Sequence, residues 1–183
     1  MAQAVVFMAD GLEEIEGLTV VDILRRAGVD TQMVSVMGRK EITGSHGIEI
    51  KADVLFEEVD FSGVSMLVLP GGLKGKENLE AHEGVKKQIT EFLAKDKYVA
   101  AICASPTIFG HMGILQGKRA CCYEGMENEL LGAQVSYEEV EQDGRIITSR
   151  GMGTSIAFAL KLTEIFCGAD AAETMGKKII YRR

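Results

Sequence analysis

The sequence predicts an α/β fold in which a mainly parallel sheet carries helices on both faces. Short apolar runs alternate along the chain with segments of helical periodicity, the pattern of a parallel sheet with crossover helices. The run Tyr98–Ile102 is continuously apolar, as in strands buried on both faces. Since no repeat, linker or low-complexity segment interrupts the pattern, we expect residues 1–183 to form one domain.

The chain opens with an apolar strand at Ala2–Ala9. A helix should follow as far as Ala27, with Asp10 as its N-cap in a capping box with Glu13, and Gly28 should end it. Its apolar face comprises Ile15, Leu18, Val20, Val21, Ile23 and Leu24. Next we predict a strand at 31–37, a hairpin of 41–43 with 48–51, a connection at 54–59, a strand from 66 and a helix at 77–95.

The second half contains the strand–turn–helix unit Tyr98–Met112, in which Pro106 suits the first helical turn. A strand at 119–122 and a short helix at 126–131 should follow. The turn Gln142-Asp-Gly144 predicts a hairpin of 135–141 with 145–149. Two helices, one over 156–166 and one at 169–178, and a basic tail ending in Arg182 and Arg183 close the chain.

The composition argues against several classes of partner. Twenty basic and 27 acidic residues give a net charge of −7, which disfavours nucleic acid or an anionic membrane as the main partner. No apolar run approaches the ~20 residues of a membrane span. The N-terminus lacks the basic region of a signal peptide, so we expect a cytoplasmic protein.

The cysteines and histidines do not have metal-site spacing. None of the four cysteines forms a C-x-x-C pair, and the three histidines are scattered, so we expect no metal and reduced thiols. Cys121 and Cys122 should be one core and one surface thiol, and Cys167 should pack in the core.

Cys103 is the strongest candidate for chemistry. It lies at the carboxyl end of a predicted central strand, where open α/β sheets place their sites, and it faces a helix N-terminus, which favours a thiolate. The alternative is a buried, inert cysteine.

Two further features should meet Cys103 at this edge of the sheet. Gly71 and Gly72 follow another strand and allow backbone N–H groups to approach an oxyanion. Glu16 lies on the apolar side of the first helix, either as a partly buried functional acid or as a rim residue that extends into solvent. If burial raises its pKa, Glu16 would donate a hydrogen bond and shuttle protons.

A histidine base for Cys103 is not evident. His111 lies eight residues along the helix, ~12 Å away at 1.5 Å per residue. His82, near a helix start, should be solvated, and His46 in a hairpin tip could reach the site only from elsewhere in the fold or from a second subunit.

Four segments resemble the ThiJ/PfpI superfamily, and within it the branch of the parkinsonism-associated protein deglycase and its bacterial homologues. They are Asp10-Gly-Leu-Glu-Glu-Ile-Glu16, Val68-Leu-Pro-Gly-Gly72, Ala100-Ala-Ile-Cys-Ala-Ser-Pro106 and Thr148-Ser-Arg-Gly-Met-Gly-Thr154. Each is weak alone, but together they span nearly the whole chain in the right order. The resemblance implies a flavodoxin-like three-layer sandwich and a homodimer.

The resemblance also implies site roles. Cys103 would be an oxidation-prone nucleophile, Glu16 its protonated partner, and Gly72 with Ala104 the oxyanion donors. The implied activity is cofactor-free conversion of glyoxal, methylglyoxal or early glycation adducts of proteins. Active relatives often carry a histidine where this chain has Tyr123, and a phenol is a poor base at neutral pH. His46 lies in a hairpin that resembles a dimer-interface segment.

Two other functions remain open. A redox sensor or oxidative-stress chaperone would use the same Cys103 and Glu16 through sulfenate and sulfinate formation. A cysteine protease or glutamine amidotransferase fits less well, because no cysteine–histidine pair is evident.

Overall fold

The computed structural model describes residues 3–181. Ala2, Arg182 and Arg183 lie outside the described residues. The helices are α1 Glu14–Arg26, α2 Leu73–Ala81, α3 Glu83–Ala94, α4 Pro106–His111, α5 Ser155–Cys167 and α6 Ala169–Lys178. The strands are β1 Ala4–Met8, β2 Thr31–Ser35, β3 Glu41–Thr43, β4 Glu49–Lys51, β5 Val54–Leu55, β6 Met66–Leu69, β7 Tyr98–Ile102, β8 Arg119–Ala120, β9 Gln134–Val135, β10 Val140–Asp143 and β11 Ile146–Ser149.

Seven strands form the main sheet in the order β10-β11-β7-β6-β1-β2-β5. All neighbours in it are parallel except β10 and β11, which form an antiparallel hairpin. A hairpin was predicted here, but its first strand begins at Val140 and not at 135, and it includes Gln142 and Asp143, which were predicted to be in the turn. Strands β3 and β4 form a separate hairpin, and β8 pairs with β9. The predicted α/β architecture is confirmed.

Both faces of the sheet are buried, so its central strands can be apolar at every position. One face packs Phe7, Leu67 and Val99 against residues of α3 and α4. The other packs Val6 and Val68 against residues of α1 and α5. Helices therefore cover the sheet on both sides, which gives three layers.

The start of the first helix differs from the prediction. Helix α1 begins at Glu14, and Glu13 occupies the N-cap position without a side-chain cap. The Asp10 carboxylate instead accepts hydrogen bonds from the Thr43 N–H at 3.1 Å and from Arg39 at 2.5 Å. The predicted capping box is wrong because Asp10 finds its partners on and beside the β3–β4 hairpin.

Helix α1 also turns a different face to the core. Ile15 and Leu18, expected to be buried, are 50% and 37% exposed, whereas Glu14 and Glu16 are buried. The helix packs on the sheet through Val20 and other residues of its central and last turns. The N-terminal part of α1 thus buries two carboxyl groups and exposes two apolar side chains.

Other boundaries differ more locally. The single helix predicted at 77–95 is two helices, because extended His82 separates α2 from α3 and caps α3 by accepting from the Val85 N–H. The segment 126–131 contains a 3-10 turn at Glu127–Glu129.

The cysteine environments were only partly predicted. All four thiols are free, but Cys121 and Cys122 are both buried and Cys167 is exposed. Cys121 is held against the sheet by a hydrogen bond from its N–H to Thr148 Oγ1, while Cys122 packs in the core with Leu130. The strand predicted at 119–122 ends at Ala120, so both cysteines lie just beyond it, and both are buried because both sides of this segment are covered.

Candidate functional site

The three features that the sequence predicted to meet do come together. Cys103 follows β7, Gly71 and Gly72 follow β6, and Glu16 lies in the first turn of α1 after β1. Strand β6 pairs with both β1 and β7, so the three strand ends are neighbours at the carboxyl edge of the sheet. This is the edge where open α/β sheets bind their ligands.

Cys103 sits on a sharp backbone turn. Its φ of +64° is in the left-handed region, which costs a non-glycine residue on the order of 1–3 kcal/mol. The surroundings hold this conformation: the Cys103 N–H donates to the Ser149 carbonyl at 3.1 Å, and the Cys103 carbonyl accepts from the Tyr123 N–H at 2.8 Å. Ser105 Oγ donates to the Pro70 carbonyl at 2.6 Å, joining this turn to the one after β6.

Gly71 lies between the two candidate side chains. A Cβ on Gly71 would overlap Cys103 Cβ and would lie 2.6 Å from Glu16 Oε2. Gly72 has a φ of +87°, and a Cβ there would overlap the Gly11 carbonyl. Gly71 is therefore needed for the close approach to the Cys103 turn, and Gly72 for the close approach to the turn after β1.

The backbone N–H groups of this turn are divided between the two side chains. Those of Gly72 and Ala104 oppose the rise in the pKa of the Cys103 thiol, as expected of candidate oxyanion donors. The Gly71 N–H instead donates to Glu16 Oε2 at 2.9 Å. Gly71, predicted with Gly72 as a donor to an oxyanion, thus has its N–H engaged by the carboxyl group.

Glu16 is a buried acid, and the alternative of a rim residue in solvent is wrong. The residue is 1% exposed, and its Oε1 has no hydrogen-bond partner of normal geometry among residues 3–181. Burial raises the pKa of Glu16 to about 7, against the opposing effect of hydrogen bonds from Cys103 and Gly71, and the charge of Glu13 raises it further. Glu16 can therefore both hold and release a proton near neutral pH.

Cys103 does not have the lowered pKa expected from its place before a helix. Burial and then the charge of ionised Glu16 raise the pKa of this thiol to about 12, although the N–H groups of Gly72 and Ala104 oppose the shift. Helix α4 has only six residues and starts three residues after the thiol, so its dipole does not prevail. Transfer of the thiol proton to Glu16 would remove the repulsion between the thiolate and the carboxylate.

Tyr123 borders the pair on its solvent side. It is 53% exposed, its N–H bonds to Cys103, and its ring faces Gly151. The phenol thus lies beside the site, at the position where the resemblance led us to look for a histidine.

Each of the three histidines has its partners away from Cys103 in the described part of the chain. His46 contacts Ser45, Glu13 and Glu14. His111 pairs with Glu80 and Glu129, as expected for a satisfied histidine. His82 caps α3 and packs its ring on Phe56, 4.6 Å between ring centroids, so it is not simply solvated as predicted.

Glu14 is a buried carboxylate that the sequence analysis missed. It accepts from the His46 N–H at 2.8 Å, from Ser45 Oγ at 3.2 Å and pairs with His46 Nδ1 at 3.1 Å. Burial would raise the pKa of Glu14, but these hydrogen bonds and its own backbone outweigh burial and lower it to about 2. The only indication in the sequence was its position two residues before Glu16 in the same predicted helix.

The same cluster offers metal-type ligands. Single atoms of Glu13, Glu14 and His46 lie within 4.8 Å of one another. Because the Glu14 and His46 atoms already bond to each other and to Ser45, hydrogen bonding accounts for this cluster.

The sequence profile of the DJ-1/PfpI family matches residues 2–165. The chain belongs to the DJ-1/PfpI family. Within the family, the chain is 34% identical over 184 residues to the Parkinson disease protein 7 homolog of Danio rerio, covering 98% of this chain and 97% of that protein. It is also 34% identical over 177 residues to protein DJ-1 homolog B of Arabidopsis thaliana, covering 96% of this chain but only 40% of that protein's length.

Two further relatives bear on fold and activity. A deglycase of Pyrococcus abyssi is 30% identical over 165 residues, covering 89% of this chain and 98% of that one. The structure of oxidized Toxoplasma gondii DJ-1 superposes over 100% of both chains with a TM-score of 0.95 at 30% identity. These findings confirm both the family resemblance and the flavodoxin-like fold. Among the helices of residues 3–181, none combines the length and apolar character needed to cross a bilayer.

Proposed function

We propose that this chain is a cofactor-free, cysteine-dependent glyoxalase or deglycase that acts on methylglyoxal, glyoxal or their early protein adducts. The observation that carries the proposal is the Glu16–Cys103 pair, a buried acid with a pKa of about 7 interacting with a thiol on a strained turn. Membership of the DJ-1/PfpI family and a relative named as a deglycase support the same class of chemistry.

The proposed reaction uses Cys103 as nucleophile. The thiol passes its proton to Glu16, and sulfur attacks the aldehyde carbon to give a hemithioacetal, whose oxygen takes up a proton. In this reaction the N–H groups of Gly72 and Ala104 stabilise the negative charge that moves from sulfur to oxygen, and their effect on the pKa of the Cys103 thiol supports this role.

Glu16 then moves a proton from the former aldehyde carbon to the adjacent ketone carbon. The product is a thioester of a 2-hydroxy acid, and hydrolysis by one water releases lactate from methylglyoxal, or glycolate from glyoxal, and restores the thiol. No oxidant or reductant is needed, because one carbon is oxidised while its neighbour is reduced.

The decisive experiment measures methylglyoxal consumption and lactate release by the wild type, Cys103→Ser and Glu16→Gln. Cys167→Ser is the matched control, because it removes an exposed thiol. Turnover that is lost in the first two variants and kept in the control supports the enzyme. Absence of turnover in the wild type rejects it.

A second candidate function is oxidation of Cys103 without turnover. The free, buried Glu16 Oε1 beside the thiol favours it, because a protonated carboxyl group can donate to a sulfinate oxygen. A relative of the same fold is described in an oxidized state. Mass spectrometry after mild peroxide should then find two added oxygens on Cys103.

We further propose a single-domain, cytoplasmic homodimer. The exposure of Ile15 and Leu18 on α1 and of Ile48 in the β3–β4 hairpin supports an interface that covers them. Replacing Ile48 with Glu should shift the mass measured by light scattering toward the monomer.

A further inference from the structure

Two hydrogen bonds connect Ser105 to Glu16 through a single peptide group. Ser105 Oγ donates to the Pro70 carbonyl at 2.6 Å. The Gly71 N–H, which belongs to the same peptide group as that carbonyl, donates to Glu16 Oε2 at 2.9 Å. Because this peptide bond is trans, its C=O and N–H point in opposite directions, and Ser105 and Glu16 lie on opposite sides of it.

The connection between Ser105 and Glu16 is shielded from water. Both side chains are almost completely buried, and Pro70 and Gly71 are buried between them. In such surroundings solvent does not replace a lost hydrogen bond, and successive hydrogen bonds polarise one another. The bond that the Pro70 oxygen accepts therefore makes the Gly71 N–H a stronger donor to Glu16.

The same hydroxyl also sets the orientation of the peptide group. Glycine restricts backbone rotation less than other residues, so backbone sterics alone do not direct the Gly71 N–H toward Glu16. Ser105 holds the oxygen of the peptide group, and the next carbonyl, that of Gly71, accepts from the Glu13 N–H at 2.9 Å. These two bonds fix the direction of the N–H that lies between them.

Several groups act on the Glu16 carboxyl group. Burial raises its pKa, hydrogen bonds from Cys103 and from the Gly71 N–H lower it, and the charge of Glu13 raises it. The Tyr123 ring borders the site on the side of Gly151. Of these influences, the bond from the Gly71 N–H is the one that Ser105 controls.

We propose that Ser105 is a positioning residue that favours the ionised form of Glu16 by holding and polarising the Pro70–Gly71 peptide group. Its importance for turnover rests on the proposed function, in which ionised Glu16 receives the thiol proton of Cys103. Ser105 acts through the peptide group and not on the reacting atoms. Without its hydroxyl, more of the Glu16 population is protonated at neutral pH and unable to accept that proton.

The test uses the two prolines of the chain as probes. Proline labelled with ¹³C at its carbonyl carbon gives one NMR signal from Pro70, in the peptide group concerned, and one from Pro106, which serves as the internal reference. In the wild type the Pro70 signal should follow the ionisation of Glu16, with a midpoint at about pH 7. This step should be absent in Glu16→Gln, which assigns it.

Ser105→Ala removes the hydroxyl, and Thr107→Val is the matched control. Thr107 is also fully buried, but its Oγ1 donates to the Ala104 carbonyl at 2.8 Å and not to Pro70. We expect the Pro70 midpoint to rise by about 0.5 to 1 pH unit in Ser105→Ala, because a weaker donor stabilises the carboxylate less. In Thr107→Val the midpoint should stay at the wild-type value.

The pH profile of turnover gives a second readout. The acid limb of kcat/KM for methylglyoxal should move by the same amount in Ser105→Ala, which lowers kcat/KM at pH 7 about two- to fivefold. The profile should keep its midpoint in Thr107→Val. A purely structural role of Ser105 would instead lower kcat/KM at every pH and leave the midpoint in place.

Three results would overturn the proposal. They are an unchanged Pro70 midpoint in Ser105→Ala, an equal rise in Thr107→Val, and a wild-type Pro70 signal without the Glu16 step, which requires no variant of Ser105 to fold. The NMR titration does not depend on turnover. A raised midpoint in Ser105→Ala, together with a wild type that converts neither methylglyoxal nor glyoxal, would reject the proposed function and support the role of Ser105.

Discussion

Glu14 and Glu16 lie two residues apart in the same helix turn, both almost fully buried, yet their acidities move in opposite directions. The pKa of Glu14 falls to about 2, and that of Glu16 rises to about 7. Both lose hydration, Glu16 more than Glu14, and their hydrogen bonds also differ. Glu14 receives several hydrogen bonds from the β3–β4 hairpin, whereas Glu16 Oε2 receives one from Gly71 and Oε1 receives none of normal geometry.

The difference shows how one turn of helix can serve two purposes. A buried carboxyl group with enough donors is a stable anion that fixes structure. A buried carboxyl group with too few donors retains a proton near neutral pH and becomes available for chemistry. The following predictions are arranged to test this contrast.

The largest effect is expected from Glu16→Gln on turnover. The amide keeps the shape of the carboxyl group but cannot move a proton, so kcat for methylglyoxal should fall about 10²- to 10⁴-fold. Glu14→Gln should change kcat far less in the same assay. Comparable losses in the two variants would show that the contrast between the carboxyl groups has no catalytic meaning.

For the free energy of unfolding, we expect the larger effect from replacing Glu14 and not from replacing Glu16. Glu14→Ala removes the acceptor of the His46 N–H and one of the partners of Ser45 Oγ, and should lower the free energy of unfolding by about 1–2 kcal/mol. Urea denaturation followed by circular dichroism measures this change. Glu13→Ala, which removes the less buried neighbour, is the control and should lower it less.

The pH dependence of stability should separate the two carboxyl groups. Because the pKa of Glu16 is raised from 4.5 to about 7, the folded state holds a proton that the unfolded state has lost between these values. Its contribution therefore decreases as pH rises from about 4.5 to 7, by on the order of a few kcal/mol. Glu16→Gln should flatten the stability profile over this window.

Glu14 contributes with the opposite sign. The pKa of Glu14 is lowered, so its contribution is present above pH 4.5 and is lost as pH falls toward 2. Glu14→Gln should therefore flatten the acid side of the profile, and near neutral pH it should remove only the contribution of the raised His46 pKa. Interchanged effects of the two glutamine variants would contradict the assignment.

The smallest effect concerns His46. The hydrogen bond that His46 donates to Glu14, followed by the charges of Glu13 and Glu14, raises the pKa of this exposed imidazole above 6.5. Its NMR titration midpoint should return toward 6.5 in Glu14→Gln. The midpoint should not move in Glu16→Gln, since no hydrogen bond joins His46 to Glu16.

Much of the Cys103 region could be predicted from the sequence because it is local. The strand, the turn and the proline-started helix follow one another within 98–112, and the position of Glu16 on the apolar side of α1 marked it as unusual. The parallel sheet then brings the turn after β6 to the same edge. Periodicity and strand order were sufficient for these residues.

The features that the sequence analysis missed depend on contacts between distant segments. Asp10 and Glu14 find their partners in the β3–β4 hairpin about 30 residues away, which a capping motif does not reveal. The direction of the Cys103 pKa shift depends on burial and on the charge of Glu16, and a dipole argument included neither. Ile15 is exposed because α1 packs on the sheet through residues of its central and last turns.

The absence of a side chain at Gly71 has a consequence for comparing genes. A single nucleotide change converts a glycine codon into one for alanine, and alanine here would overlap Cys103 and crowd both Glu16 and the Ile102 carbonyl at the end of β7. The chemistry of this edge can therefore be lost in one mutational step while the architecture persists. Residue 71 is thus a simple marker for sorting proteins of this fold into those able to keep the thiol and the acid together and those that have drifted to other roles.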